Sequence, residues 1–154
     1  MNSGEIIILA HNIRSAYNVG SFFRTADGIG HCRVVLSGYS PRPPHKGILK
    51  TALGAETSVP WEGIGRPGPW LAQMKRRGYH IVGLEQTKVS QNLFSYRRRF
   101  PMVLILGNEV RGMSLALLGH CHDVIEIPMQ GEKESLNVAS AMAVATYTLR
   151  FGRG

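Results

Sequence analysis

The sequence predicts an α/β fold, in which a mostly parallel six-stranded sheet carries helices on both faces. Three observations lead to this fold class. Apolar runs of strand length alternate along the chain with stretches of helical periodicity. The length of 154 residues suits a single domain with a sizeable core. Hydrophobic residues make up 44% of the chain and charged residues 18%, which indicates a globular protein rather than a disordered one.

Five of the six strands can be placed on apolar runs, at 5–11, 32–38, 79–86, 101–109 and 123–129. Helical patterns fall between them and after them, at 18–30, 69–78, 114–121 and 135–151. We expect Asn18 to be the N-cap of the first helix, because short polar side chains favour that position. Strands separated by helices favour parallel pairing, with helices on both faces of the sheet.

The start of the chain reads as a first strand. The stretch "MNSGEIIILAHN" has no basic region and carries Glu5 before its apolar run, unlike a secretory signal. No apolar run reaches the length of about 18 residues that a membrane helix needs. We therefore expect a cytoplasmic protein with no membrane partner.

Charge points to a polyanionic partner. Lysine and arginine total 18 against 10 acidic residues, a formal charge of +8. Such a balance attracts nucleic acid first, although solubility alone could explain it. The run "YRRRF" at 96–100 favours nucleic acid, because aromatic residues that can stack on bases flank Arg97, Arg98 and Arg99.

The cysteines predict neither a disulfide framework nor a metal site. There are two, Cys32 and Cys121, each next to histidine in "HC" and "HCH". Adjacent side chains mostly point apart, whereas metal ligands need spacings that let them converge. We expect no metal.

The last helix has two apolar stripes, where a surface helix of a monomer needs only one. The first stripe is Leu136, Ala139, Ala143 and Tyr147, and the second stripe is Val138, Ala141, Met142, Ala145 and Leu149. Either both stripes pack within one subunit, or one of them meets a second copy.

Three polar, glycine-bearing stretches fall where chemistry is expected in a parallel sheet, near the carboxyl ends of strands. They are "NVGSFFRTAD" (18–27), "LGNEVRGMS" (106–114) and "IPMQGEKESLNVAS" (127–140). Taken singly, each stretch can be explained without a function. Its glycines can form turns, Glu109 can be solvated, Asn137 can cap a helix, and Arg24 can lie on a solvent-exposed helix face.

Taken together and in order, these stretches resemble the motifs of the SPOUT-class RNA methyltransferases, in particular the SpoU/TrmH-like family. The resembling segments are 18–27, 104–114 and 125–147, with a fourth at 50–56. The resemblance implies a C-terminal trefoil knot, which no sequence pattern could predict because knots are essentially absent from proteins. It also implies S-adenosylmethionine as cofactor, a tRNA or rRNA ribose 2′-hydroxyl as methyl acceptor, and a homodimer formed through the first and last helices. Of the two stripes of the last helix, we expect the second to be the dimer surface.

The resemblance also assigns residues to the site. The cofactor would lie against Leu84, Leu106, Gly107, Ile127, Met129, Ser135 and Leu136. Arg24 would grip a phosphate and stabilise the developing alkoxide, since an arginine with a pKa above about 12 is a poor general base. Asn18 would hold Arg24 or the ribose, and Ser135 and Asn137 would shape the pocket. Glu109 would orient Arg24 by charge pairing, either within its own subunit or across the dimer.

We expect residues 1–154 to form one methyltransferase domain without a separate RNA-binding domain. Contacts to RNA would then come from basic residues of this domain, namely Arg14, Arg42, Lys46, Lys50, Arg97, Arg98 and Arg99.

Other functions stay open at this point. A base methyltransferase of the same knotted class is the nearest alternative, although Arg24 beside Asn18 favours ribose. A non-catalytic RNA-binding dimer is a second. A simple nucleotide-binding module is less favoured, because no G-x-G-x-x-G or Walker loop follows a strand.

Overall fold

The centre of the molecule is a parallel sheet, seen in a computed structural model that describes residues 4–152. Its strands are β1 (Ile6–His11), β2 (Cys32–Ser37), β3 (Trp61–Ile64), β4 (His80–Leu84), β5 (Gln91–Asn92), β6 (Met102–Leu106) and β7 (Asp123–Glu126). They lie in the order β3-β2-β1-β6-β4-β7-β5, and every pairing is parallel. The α/β class is confirmed.

The predicted number of six strands is wrong, because residues 4–152 form seven. The two strands that had not been placed are β3 and β5, which lie at the two edges of the sheet. β3 has four residues and β5 has two, and nearly all of them are exposed. Short exposed strands bury little, so they carry no apolar run by which sequence could find them.

The helices are α1 (Ala16–Ile29), α2 (Lys46–Ala52), α3 (Ala55–Ser58), α4 (Pro67–Arg76), α5 (Leu115–His120) and α6 (Val138–Phe151). A 3₁₀ turn at Leu93–Ser95 precedes β6. α2 had not been predicted, because it follows directly on a proline-rich loop. No helix within residues 4–152 is both long and apolar enough to cross a membrane.

Two hydrophobic cores cover the two faces of the sheet. Along β1, Ile6, Ile8 and Ala10 point into the core shared with α1 and α6. Ile7 and Leu9 point into the other core, with α4 and α5. This alternation is the period of two that a strand imposes on its side chains, and it explains why β1 is apolar throughout.

α1 begins two residues earlier than predicted, and its N-cap is Ser15 rather than Asn18. The Ser15 hydroxyl accepts a hydrogen bond from the backbone N–H of Asn18 at 3.3 Å. The side chain of Asn18 is therefore free of capping and can bond elsewhere.

α6 buries most of the second stripe, while the two ends of the first stripe stay exposed. Met142 and Ala145 are fully buried and Leu149 nearly so, in the core beneath the sheet. Leu136 and Tyr147 of the first stripe are 37% and 45% exposed. The expectation that the second stripe is a dimer surface is wrong, because the chain's own core covers it. The first stripe is the one left open.

Candidate functional site

A cavity of about 490 Å³ opens at the carboxyl ends of β4, β6 and β7. This volume lies within the range of about 300–1,000 Å³ typical of small-molecule sites. The segment 134–138, which leads into α6, closes one side. Six of the seven residues assigned to the cofactor line this cavity: Leu84, Leu106, Gly107, Ile127, Ser135 and Leu136. Met129 is not in the lining and lies two residues beyond Ile127 in the loop after β7.

Gly107 makes the cavity possible by letting two backbones meet. A Cβ atom built there would lie 2.6 Å from the carbonyl carbon of Gly112 and 2.7 Å from the nitrogen of Met113. No real Cβ fits at that distance. The end of β6 is therefore packed directly against the loop that follows it.

Glu85 fixes the same loop from the neighbouring strand, and sequence reasoning missed it. Its carboxylate accepts a hydrogen bond from the Met113 N–H at 2.8 Å. The next residue, Gln86, donates to the carbonyl of Glu134 at 2.5 Å. The end of β4 thus ties together two segments that enclose the cavity. A Glu-Gln pair directly after a buried strand was the available signal.

The charged side chains lining the cavity are all carboxylates. They are Glu85, Glu109, Glu126 and Glu134, and among the described residues no lysine, arginine or histidine joins them. The whole chain carries a formal charge of +8, so this acidic lining is a local feature. It favours a ligand with cationic character and disfavours a nucleoside phosphate.

Three of the five predicted catalytic residues meet at the rim of the cavity. The Asn18 side chain donates to Glu109 Oε2 at 2.9 Å. Asn137 donates to Asn18 Oδ1 at 3.4 Å, while its own Oδ1 caps α6 by accepting from the N–H of Ala139 at 2.9 Å. One chain of hydrogen bonds therefore joins all three stretches that the sequence singled out. Ser135 lines the cavity beside it.

Glu109 holds the start of α1 rather than Arg24. Its two carboxylate oxygens accept from the backbone N–H groups of Arg14 and Ser15, both at 2.9 Å, as well as from Asn18. Burial raises the pKa of Glu109, but these hydrogen bonds more than offset it, and the pKa is lowered overall. Within residues 4–152 no salt bridge joins Glu109 to Arg24. The expected charge pairing is therefore not found within one chain, because both oxygens are already engaged.

Arg24 lies away from this cavity. It is exposed on α1 and lines a second, open groove of about 650 Å³ together with Lys50 and Tyr147. Asn18 and Arg24 are six residues apart, which is about 9 Å along the helix axis and on different sides of it. Within one chain, the predicted catalytic residues therefore lie in two separate places, with Arg24 in the second groove and the others at the cavity.

The sequence from residue 5 to residue 147 matches the profile of the family described as the SpoU rRNA Methylase family. The chain belongs to this family. It is 30% identical over 145 residues to the tRNA (guanosine(18)-2′-O)-methyltransferase of Aquifex aeolicus, which covers 93% of this chain and 67% of that protein. It is 27% identical over 142 residues to the 23S rRNA (guanosine-2′-O-)-methyltransferase RlmB of Pseudomonas putida, which covers 92% of this chain and 57% of that protein.

Solved SpoU-family structures show the same fold. The SpoU methyltransferase AviRb from Streptomyces viridochromogenes, crystallised in complex with the cofactor AdoMet, aligns with a TM-score of 0.84 at 26% identity. That alignment covers 94% of this chain and 59% of AviRb. The chain spans 40%, 57% and 67% of the lengths of three curated relatives that it matches.

The basic residues assigned to RNA are spread over the surface of this SpoU-family domain. Arg14 lies beside the cavity, Lys46 and Lys50 are exposed on α2, and Arg42 donates to the carbonyl of Ile64 at 2.9 Å. The run 97–99 lies before β6, one strand length or about 17 Å from the cavity. Within it, Arg98 donates to the carbonyl of Gly152 at 2.6 Å and packs against Phe100. Arg98 therefore has a structural role, while Arg97 and Arg99 are exposed.

The cysteines and histidines form no metal centre in the part of the chain that the structure describes, where no cluster of three or more candidate ligands occurs. Burial raises the pKa of Cys32 to about 12 and that of Cys121 to about 11. Both are therefore unreactive thiols at neutral pH.

Histidine and aspartate side chains are packed together at the start of β4 and β7. His80 and His122 stack with their ring centroids 4.6 Å apart, and His80 Nε2 lies 2.6 Å from Asp123 Oδ2. His122 Nδ1 accepts the Ile81 N–H at 2.8 Å, so that nitrogen carries no proton. Burial lowers the pKa of His122, and the neighbouring His80 lowers it further.

We expect this packing to make stability fall at mildly acidic pH. Below about pH 6.5, the ordinary value, an unfolded histidine takes up a proton that the folded His122 resists. The unfolded state then binds more protons, so the free energy of unfolding decreases as the pH drops from about 6.5. Urea denaturation at pH 8, 7, 6 and 5 measures this, and His122→Asn should flatten the slope. A free energy of unfolding that stays constant across this range would contradict the prediction.

Proposed function

We propose that this protein is an S-adenosylmethionine-dependent RNA methyltransferase, which transfers a methyl group to a ribose 2′-hydroxyl of tRNA or rRNA. The observation that carries the proposal is the acidic cavity built by the family motifs at the ends of β4, β6 and β7. Relatives of this chain are named as 2′-O-methyltransferases of tRNA and rRNA guanosines, and AviRb was crystallised with AdoMet.

The cavity suits this cofactor in shape and charge. Leu84, Leu106, Ile127 and Leu136 provide apolar walls for an adenine ring. The closely packed backbones of Gly107 and Gly112 form one wall of the cavity. The four carboxylates favour the positively charged sulfonium. When bound, the cofactor supplies a methyl group that is already activated for transfer, so the protein mainly has to align the acceptor.

The chain's own residues have to position and activate a ribose hydroxyl. Asn18, Glu109 and Asn137 form a rigid hydrogen-bonded rim, and Ser135 lies next to them at the cavity mouth. Glu109 keeps its charge and secures the start of α1. Arg24 grips the phosphate beside the acceptor ribose and stabilises the negative charge that develops on the ribose oxygen, while the hydroxyl proton passes to solvent water.

Arg24 reaches the reaction from a second copy of the chain in this proposal. The two ends of the first stripe stay exposed, Leu136 at the cavity and Tyr147 at the Arg24 groove, with the half-buried Ala139 and Ala143 between them. In a two-fold dimer the same surface meets itself. Two antiparallel copies of α6 then bring the groove of one subunit to the cavity of the other, which unites the two halves of the site.

Ala143→Glu should test the dimer. Ala143 lies in the middle of the open stripe, where a buried unpaired charge costs several kcal/mol. We expect folded monomers by light scattering at micromolar concentration, with methyl transfer lost. Ala145→Glu is the contrasting variant: Ala145 is fully buried within its own chain, so that change should prevent folding. An Ala143→Glu protein that remains an active dimer would rule out this interface.

A C-terminal trefoil knot belongs to the proposal. The segment 134–138 supports it, because this segment lines the cavity together with the loops after β4 and β6, and Gln86 is bonded to the carbonyl of Glu134. The described chain acts as one methyltransferase domain in the cytoplasm, and its exposed basic residues bind RNA: Arg14, Arg42, Lys46, Lys50, Arg97 and Arg99.

Two measurements test the function. Calorimetry should show that S-adenosylmethionine and S-adenosylhomocysteine bind competitively and without added metal. RNA from cells lacking the gene should accept labelled methyl groups from the purified protein, and digestion should yield a 2′-O-methyl nucleoside. A base-methylated nucleoside would support the base methyltransferase instead. A folded protein that binds neither ligand would refute the assignment.

A further inference from the structure

We propose that the groove around Arg24 is a binding site for the RNA sugar-phosphate backbone, in which Lys50 holds the phosphate next to the one that Arg24 holds. This inference rests on the proposed function and adds a second backbone contact, on α2, to the reaction site. The groove lies between α1, α2 and α6 and is separate from the acidic cavity.

Two glycines shape the groove around Arg24. Gly20, Arg24 and Gly28 are spaced four residues apart and so lie on one side of α1. A Cβ at Gly20 would collide with Thr51 and the backbone of α2, and a Cβ at Gly28 would lie 2.5 Å from the Tyr147 hydroxyl. Each glycine in a helix interior costs about 1 kcal/mol relative to alanine. Gly20 lets α2 pack close to α1 on one side of Arg24, and Gly28 lets Tyr147 of α6 pack close on the other side.

The close approach at Gly20 brings Lys50 beside Arg24. Thr51, the neighbour of Lys50, contacts Gly20, one turn before Arg24, and its hydroxyl donates to the carbonyl of Tyr17 at 2.7 Å. Lys50 and Arg24 are both exposed. Within residues 4–152 neither forms a salt bridge. These two cations line the same groove, and together they form a site for two phosphates.

The remaining walls fit a nucleic acid strand. One carboxylate, Asp27, lines the groove, and its Oδ1 accepts a hydrogen bond from Ser58 at 3.2 Å. Ser21 and Thr25 add hydroxyl groups. Tyr147, half-exposed at the end of the first stripe of α6, lines the groove on its third side. The groove is open to solvent, so an RNA strand can enter it.

Lys50→Gln tests this site, with Arg76→Gln as the matched control. Both residues are basic side chains in the last turn of a helix, so both changes remove the same helix-end charge. Arg76 lies on α4, which packs on the opposite face of the sheet. The probes are a stem-loop RNA of about 20 nucleotides and unfractionated tRNA, both labelled with fluorescein. Fluorescence anisotropy measures how tightly the full chain binds each of them.

Lys50→Gln should weaken RNA binding by about tenfold, and it should reduce the slope of log Kd against log salt by about 0.7–0.9, the value of one phosphate contact. Arg76→Gln should stay within about twofold of wild type, and Lys50→Arg should restore most of the affinity because it keeps the charge. In methyl transfer, Lys50→Gln should raise KM for RNA and leave kcat and the cofactor affinity unchanged.

Equal effects of Lys50→Gln and Arg76→Gln, with cofactor binding and methyl transfer intact in the wild type, would overturn this inference and leave the proposed function standing. A wild-type protein that binds neither RNA nor cofactor would overturn both.

Discussion

Arg24→Ala is expected to slow single-turnover methyl transfer by about a hundredfold or more, the typical loss when a group that stabilises developing charge is removed. The free energy of unfolding should change by no more than about 0.5 kcal/mol, as for an ordinary surface site. Arg24 is exposed, and no salt bridge of residues 4–152 includes it. Its removal therefore leaves α1 intact.

Arg24→Lys separates charge from geometry. Lysine keeps the positive charge but loses the planar, two-pronged guanidinium that matches a phosphate. We expect it to recover little of the rate. Cofactor affinity, measured by calorimetry in parallel, should be unchanged in both variants, because Arg24 does not line the acidic cavity. Near-normal transfer by Arg24→Ala would remove this residue from the site and favour the base-methylating or non-catalytic alternatives.

The central strands could be predicted from sequence because they are buried on both faces and so form unbroken apolar runs. β1 and β6 are the clearest cases, with every residue of β6 buried. The edge strands could not be predicted, since Gln91 and Asn92 of β5 are exposed and polar. A local sequence pattern shows which residues are buried, and an edge strand buries few residues.

The two stripes of α6 show why burial itself is hard to predict on a helix rich in small residues. Alanine occurs on both stripes, so apolar character does not distinguish them. Thr146 is fully buried, with its hydroxyl satisfied by the carbonyl of Met142 at 2.7 Å. Which side faces the core depends on how α6 crosses α1 and the sheet, and that is a property of the tertiary structure.

The site also could be predicted only in part. The family resemblance pointed to Asn18, Glu109 and Asn137, and the structure joins them by hydrogen bonds. It also pointed to Arg24, which lies in another groove of the same chain. A motif states which residues belong together, but it does not state whether one chain or two bring them together.

Gly107→Ala is expected to weaken cofactor binding by about tenfold to a hundredfold. The added Cβ would meet the backbone of Gly112 and Met113, which Glu85 holds in place from β4. Backbone cannot rotate away as a side chain can, so the loop at 112–113, which lines the cavity through Gly112, must move from its place. Overpacking of this kind costs about 1–3 kcal/mol, which corresponds to a loss of about tenfold to a hundredfold in affinity.

Gly131→Ala is the control for this variant. Gly131 lies in the loop after β7, and a Cβ built there meets nothing within 4 Å. Calorimetry with S-adenosylmethionine and urea denaturation, applied to both variants, separate a lost cavity from a lost fold. Gly107→Ala with normal cofactor affinity would show that the cofactor does not lie against this turn.

Mixing the two variants, at a cofactor concentration that fills only the normal cavity, then decides where Arg24 acts. Gly107→Ala keeps a normal Arg24 but leaves its cavity mostly empty, and Arg24→Ala keeps the cavity but lacks the arginine. If Arg24 works across the dimer, a heterodimer of the two contains one complete site, and methyl transfer returns when the proteins are co-expressed. If Arg24 works within its own chain, every site in the heterodimer is defective and the mixture stays inactive. The first stripe of α6, from Leu136 to Tyr147, leads us to expect that activity returns, because it connects each cavity to the partner's groove.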